Sequence, residues 1–110
     1  MIAHKGVDEE AVRKAVARLL ERAPLEALRV AVEMGTLSKV PLAVELLEKI
    51  VEKSPGSATA WEQLARQHEK LKDWERAGQA YRKAFALDPL SPTTRKNLEQ
   101  FEAERAARKQ

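Results

Sequence analysis

Two histidines, two tryptophans, four separate glycines and one acidic run are the residues of this chain whose types could do chemistry. A histidine works as a general base or a metal ligand only beside a carboxylate, a hydroxyl, a thiol or further ligands. His4 and His68 lie far apart, with no Asp or Ser at a triad-building spacing and no HExxH pattern. The absence of cysteine removes thiolate nucleophiles, thiolate metal ligands and disulfides. Gly6, Gly35, Gly56 and Gly78 stand singly, so no glycine-rich loop cradles a phosphate. Asp8, Glu9 and Glu10 are better used at a helix start, where Asp8 caps and the acids meet the positive end of the helix dipole. His68 falls on an apolar stripe and is expected to pack. Sequence therefore offers no catalytic residue, no metal ligand set and no cofactor motif, and the expected chemistry is non-covalent binding.

The elements that would carry such binding are helices. Charged residues make up 34% of the 110-residue chain and aromatics 5%, the Ala/Glu/Lys/Leu/Arg bias of an all-α protein. At this length one domain can bury enough surface to fold without staples. The net charge of +3 comes from interspersed signs rather than a basic block, which argues against nucleic acid as a partner. No window approaches the apolar length of a membrane span, and MIAHKGVDEE lacks the apolar core of a signal peptide, so a cytoplasmic site is expected.

Read in order, residues 1–7 form a lead-in, and Val7 with Val12 has the spacing of a hydrophobic staple around the Asp8 cap. A helix is predicted over 9–22, with Val12, Ala15, Val16, Leu19, Leu20 and Ala23 inward and Arg13, Lys14, Arg18 and Arg22 on a solvated face. Pro24 opens a second helix, about Leu25 to Met34, with Gly35 as its C-cap. A third, capped by Thr36 or Ser38 and tolerating Pro41 in its first turn, ends near Lys53. Pro55-Gly56 is a turn, and Ser57 caps the fourth helix. Asp73 caps a fifth. Ser91 and Pro92 begin a sixth that is nearly all polar beyond Leu98 and Phe101.

Within Ala58 to Pro89 the large and small residues follow a particular order. Trp61, Leu64, Ala65 and His68 make one helical stripe, and Ala77, Tyr81, Ala84 and Phe85 make the next. With Pro89 closing the unit, this pattern resembles the tetratricopeptide repeat (TPR). Shifted back by one period, Ala65 meets Ala31, Ala77 meets Ala43, Tyr81 meets Leu47, Ala84 meets Ile50 and Pro89 meets Pro55. The earlier unit departs at Ala27, where the tryptophan would stand, and in the Gly35–Pro41 turn. The forward shift places Arg95 and Glu99 where Trp61 and Ala65 stand.

The resemblance implies a short right-handed α-solenoid of five to six helices, about two and a half units. Its parts would be a helix over 9–23, a degenerate repeat over 24–57, a well-matched repeat over 58–91 and a capping helix over 92–110. Trp61 and Trp74 are then expected to pack rather than to bind ligand. In that family the first helices of successive hairpins line a concave groove that holds peptides or helices. Matching positions here are Leu25, Leu28, Val32 and Gly35, then Thr59, Glu62, Arg66 and Glu69, then Thr93, Lys96 and Gln100. The groove would be apolar at one end and charged at the other, with the apolar end either free or covered by the first helix.

The implied function is a non-enzymatic adaptor or assembly scaffold for a protein or peptide partner, with homo-oligomers possible. One TPR subclass clamps a chaperone's C-terminal carboxylate with Lys, Asn and Arg spread over three repeats. Here Lys96 and Asn97 sit together in the last helix, with Gln63 and Arg29 at the related positions, so that clamp is not expected. Two other readings remain open. Trp61, Glu69 and the helix containing Arg82 also resemble the half-a-TPR repeat of RNA-processing subunits, although Ala65, Ala77, Ala84 and Pro89 argue against it. A fragment of a longer array would instead self-associate.

Overall fold

A computed structural model describes residues 8–108 and contains six α-helices: α1 (Glu9–Arg22), α2 (Pro24–Thr36), α3 (Val40–Lys53), α4 (Ala58–Lys70), α5 (Trp74–Leu87) and α6 (Pro92–Arg108). Each packs on the next, the antiparallel pairs α2–α3 and α4–α5 most extensively, and the result is an all-α, solenoid-like array. His4, Gly6 and the Val7 half of the staple lie outside the described residues.

Short-range rules account for most helix ends. The side chains of Asp8, Ser57, Asp73 and Ser91 accept hydrogen bonds from the backbone N–H groups of Ala11, Ala60, Arg76 and Thr94, at 3.1–3.2 Å. Each satisfies a donor the helix cannot, a contribution of about 1 kcal/mol. α3 differs: Lys39 precedes it and supplies no side-chain cap, so neither Thr36 nor Ser38 has the expected role. Pro41 sits in its first turn, where no helical hydrogen bond is forfeited.

Gly35 is likewise not a C-cap. α2 runs on through Thr36, and the left-handed residue that ends it is Ser38, φ 66°. The turn after α4 is the same turn one repeat later, with Lys72 at φ 62°. Its hydrogen bonds return with the same offset: Leu37 N–H to Glu33 O becomes Leu71 to Gln67, and Lys39 N–H to Met34 O becomes Asp73 to His68. The Gly35–Pro41 stretch, irregular in sequence, is thus regular in backbone. The following linkers match too, residues 54–57 and 88–91.

Buried residues form two clusters. Val16, Ala27, Ala31, Leu46, Leu47 and Ile50 lie in the first, while Ala65, Ala77, Tyr81 and Phe101 lie in the second. Trp61 packs against both, with its indole Nε1–H donating to Pro55 O at 2.9 Å. Sealing a Leu46 or Leu47 side chain from water contributes about 2 kcal/mol. Ala65 and Ala77, both fully buried, lie in the second cluster where α4 packs on α5, and their small side chains suit close-packed helices.

α1 occupies beside α2 and α3 the place that α3 takes beside the α4–α5 hairpin one repeat later, that of a second hairpin helix. It packs on α2 and also directly on α3. Its link to α2 is Ala23 alone, three residues shorter than the later linkers. Arg13 is held there rather than solvated: its Nε and Nη2 donate to the two Glu45 oxygens at 2.7 and 3.1 Å. That fork raises the Arg13 pKa and holds the Glu45 carboxyl below its usual value. Lys14, Arg18 and Arg22 are exposed.

Candidate functional site

The 3.6-residue helical period brings Glu62, Arg66 and Glu69 of α4 onto the face turned toward α6. Asn97, Gln100 and Glu104 come from α6 to meet them. Between the helices lies a polar cavity of about 200 Å³, bordered by Arg66, Glu69, Asn97, Gln100 and Glu104 and floored by Tyr81 and Phe101. Gly78 admits the floor, since Phe101 Cε2 stands 3.1 Å from where its Cβ would be. The Tyr81 and Phe101 rings are tilted by 42° with centroids 5.1 Å apart.

Hydrogen bonds fix most of the rim. Tyr81 donates its hydroxyl to Glu69 at 2.6 Å, Asn97 donates to Glu62 at 2.8 Å, and Gln100 reaches Glu104 at 3.4 Å. Burial, and then the Glu69 carboxylate, hold the Tyr81 phenol far above its ordinary pKa, so it stays a donor at any physiological pH. Each of the carboxylates Glu62, Glu69 and Glu104 accepts one of these hydrogen bonds, whereas the Arg66 guanidinium makes neither a hydrogen bond nor an ion pair within 4.0 Å among the described residues. The arrangement can recognise polar groups through one free guanidinium, amide donors and carboxylate acceptors.

Of the residues expected along the groove, Arg66, Glu69 and Gln100 meet at this cavity, and Glu62 joins them through Asn97. Thr59, Thr93 and Lys96 are exposed beyond it. At the other end Leu25 is 80% exposed, whereas Leu28 is half-buried against the first cluster and Val32 is half-buried. Gly35 is buried under Gln67 and lines nothing. Sequence reasoning missed Tyr81, Asn97, Phe101 and Glu104. Asn97 was legible, since it falls one repeat and one residue after Glu62. Tyr81 was assigned to packing alone, and its hydroxyl was the overlooked signal.

Trp74 is half-buried at the start of α5, with the Arg108 guanidinium 4.0 Å from its ring centroid. His68 is buried, 3% exposed, as its place in the stripe implies. Among the described residues no three His, Asp or Glu side chains converge as a metal site, and no helix is long and apolar enough to cross a membrane.

Residues 58–101 match the family model for the tetratricopeptide repeat. Among solved structures the chain is similar to the first TPR of Spaghetti (RPAP3) bound to an HSP90 peptide, at 13% identity and a TM-score of 0.61, over 96% of this chain and 99% of that one. It also aligns with MamA residues 41 to the end from Desulfovibrio magneticus RS-1, at 17% identity and a TM-score of 0.46, over 94% and 88% of the two chains. No curated protein matches the chain as a relative. The sequence order of Trp61, Ala65, Ala77 and Tyr81 and the match over 58–101 agree that this stretch is similar to a tetratricopeptide repeat, and the turn that recurs at Ser38 and Lys72 extends the same backbone pattern to the preceding hairpin.

Proposed function

We propose that this chain is a non-catalytic protein-interaction module, an adaptor or assembly scaffold that holds a peptide or helix of a cytoplasmic protein across α2, α4 and α6. The observation that carries the reading is the polar cavity between α4 and α6, where Arg66 is free while its neighbours are fixed by hydrogen bonds. Preset partners lose little freedom when a ligand arrives. The fold-level likeness to a TPR structure that holds a peptide supports the same reading. Residues 24–57 act as a degenerate repeat, 58–91 as the regular one and 92–110 as a cap whose charges keep that end soluble. Leu25, Leu28 and Val32 form the apolar end of the surface, Thr59, Glu62, Arg66 and Glu69 its middle, and Lys96 and Gln100 its far wall.

The test is affinity capture from a cell lysate with three baits: the wild type, Arg66→Glu and Leu25→Glu. Leu25 is the right apolar probe because its exposure leaves the fold untouched, whereas a charge at Leu28 would enter the core. The proposal expects at least one protein held by the wild type and lost from Arg66→Glu. Identical partner lists for all three baits would discard this surface.

A further inference from the structure

A second groove lies on another side of the array, between α3 and α5. α1 and α3 pack directly, drawn together by the one-residue link at Ala23 and clamped by Arg13 and Glu45. α3 and α5, separated by a full repeat, share little direct contact. The space between them is about 430 Å³, floored by Val51, Trp61, Leu64 and Ala80. That is within the range of small binding pockets, ~300–1,000 Å³.

Its walls differ in charge. α5 presents Arg76 and Lys83, one on either side of Gln79 and Ala80, and α3 presents Glu48. Lys83 lies 5.8 Å from the Trp61 ring centroid and has no carboxylate within ion-pair distance among the described residues. Arg76 has only Asp73, 3.8 Å away on its own exposed turn. Seven residues of helix separate the two cations by about 10 Å of rise, close to the ~9 Å of one three-residue turn of a polyproline II segment. His68 also lines the groove. It is 3% exposed, and its Nδ1 has no hydrogen-bond partner. A buried polar atom left unmatched beside an open groove marks a place a ligand's polar group or an ordered water completes.

We propose that the α3–α5 groove binds an acidic peptide segment in polyproline II form, two carboxylates three residues apart on the same side meeting Arg76 and Lys83 while an apolar side chain between them enters over Trp61, Leu64 and Ala80. Glu48 on the facing wall sets the orientation, since it repels the carboxylates of the segment and accepts from its free backbone N–H groups. This site is separate from the α4–α6 cavity, so the chain has two binding surfaces on different sides.

The probe is a peptide of sequence Gly-Glu-Leu-Phe-Glu-Gly, acetylated and amidated so that it has no terminal carboxylate. It is titrated to millimolar concentration into the full ¹⁵N-labelled chain and followed by amide and indole NMR shifts. Shifts are expected at the Trp61 indole N–H and the Val51 and Ala80 amides, with Arg66 and Gln100 unmoved. Lys83→Glu, Arg76→Glu and a peptide with Gln for both Glu should each weaken binding by about fivefold, the scale of an exposed charge pair. Spectral dispersion of the variants reports that they are folded. The proposal is overturned by absent shifts, by shifts centred on Arg66 and Gln100, or by equal binding of the Glu and Gln peptides.

Discussion

Replacing Gly35 by alanine should destabilise this protein, although helix propensity alone says the reverse. Alanine is better than glycine inside a helix by about 1 kcal/mol, and Gly35 lies inside α2 at an ordinary helical φ. A Cβ there would stand 2.7 Å from Gln67 Cδ and 2.8 Å from Nε2, with Oε1 nearer still. Gln67 is 3% exposed, and its Oε1 already lacks a hydrogen-bond partner, so it is wedged between α2 and α4 with no solvated retreat. Overpacking of this kind costs roughly 1–3 kcal/mol, which outweighs the propensity gain by about 1 kcal/mol. Removing the obstacle reverses the sign: in a Gln67→Ala background, Gly35→Ala should stabilise by about 1 kcal/mol. The four proteins form a double-mutant cycle with a coupling energy of about 2 kcal/mol, measured by urea unfolding followed by circular dichroism. Stabilisation by Gly35→Ala with Gln67 present, or a coupling below about 0.5 kcal/mol, would refute the packing argument.

Two further outcomes follow from the turns and the buried histidine. Lys72→Gly should raise stability by about 0.5–1 kcal/mol in the same assay, because Lys72 sits at φ 62°, where a Cβ is strained. Burial, opposed by Asp73 and Glu48 and reinforced by Arg76, keeps the His68 imidazole neutral below its ordinary pKa. Through that window the unfolded chain binds a proton the folded chain refuses. Stability therefore falls as pH drops below about 6.5, toward the lower folded value. His68→Gln should flatten that slope in urea midpoints taken across pH 7 to 5, and an unchanged slope would show that another group sets it.

Residues 8–108 show which rules reach how far. The caps at Asp8, Ser57, Asp73 and Ser91, and the start and end of α1, were legible because each depends on residues within one turn. The order of Trp61, Ala65, Ala77 and Tyr81 was legible because a repeated packing problem is answered by repeated residue sizes. Gly35 was misread as a cap because glycine serves two purposes, freedom at positive φ and absence of a side chain, and only the neighbour across the helix interface tells which. Arg13 looked solvated because its partner Glu45 is on α3, beyond any local rule.

What the sequence by itself determined was a helical repeat chain: which segments are helical, what caps them and which small residues let α4 meet α5. Tertiary structure decided the surfaces. Asn97 reaches Glu62 only because α6 lies beside α4, and α1 packs on α3 across a link to α2 that is three residues shorter than the corresponding links at 54–57 and 88–91. The division has a physical cause. Helix formation and capping are settled within a few residues, whereas a groove is the gap left after whole helices have packed, and its width depends on linker lengths and contacts from every element around it.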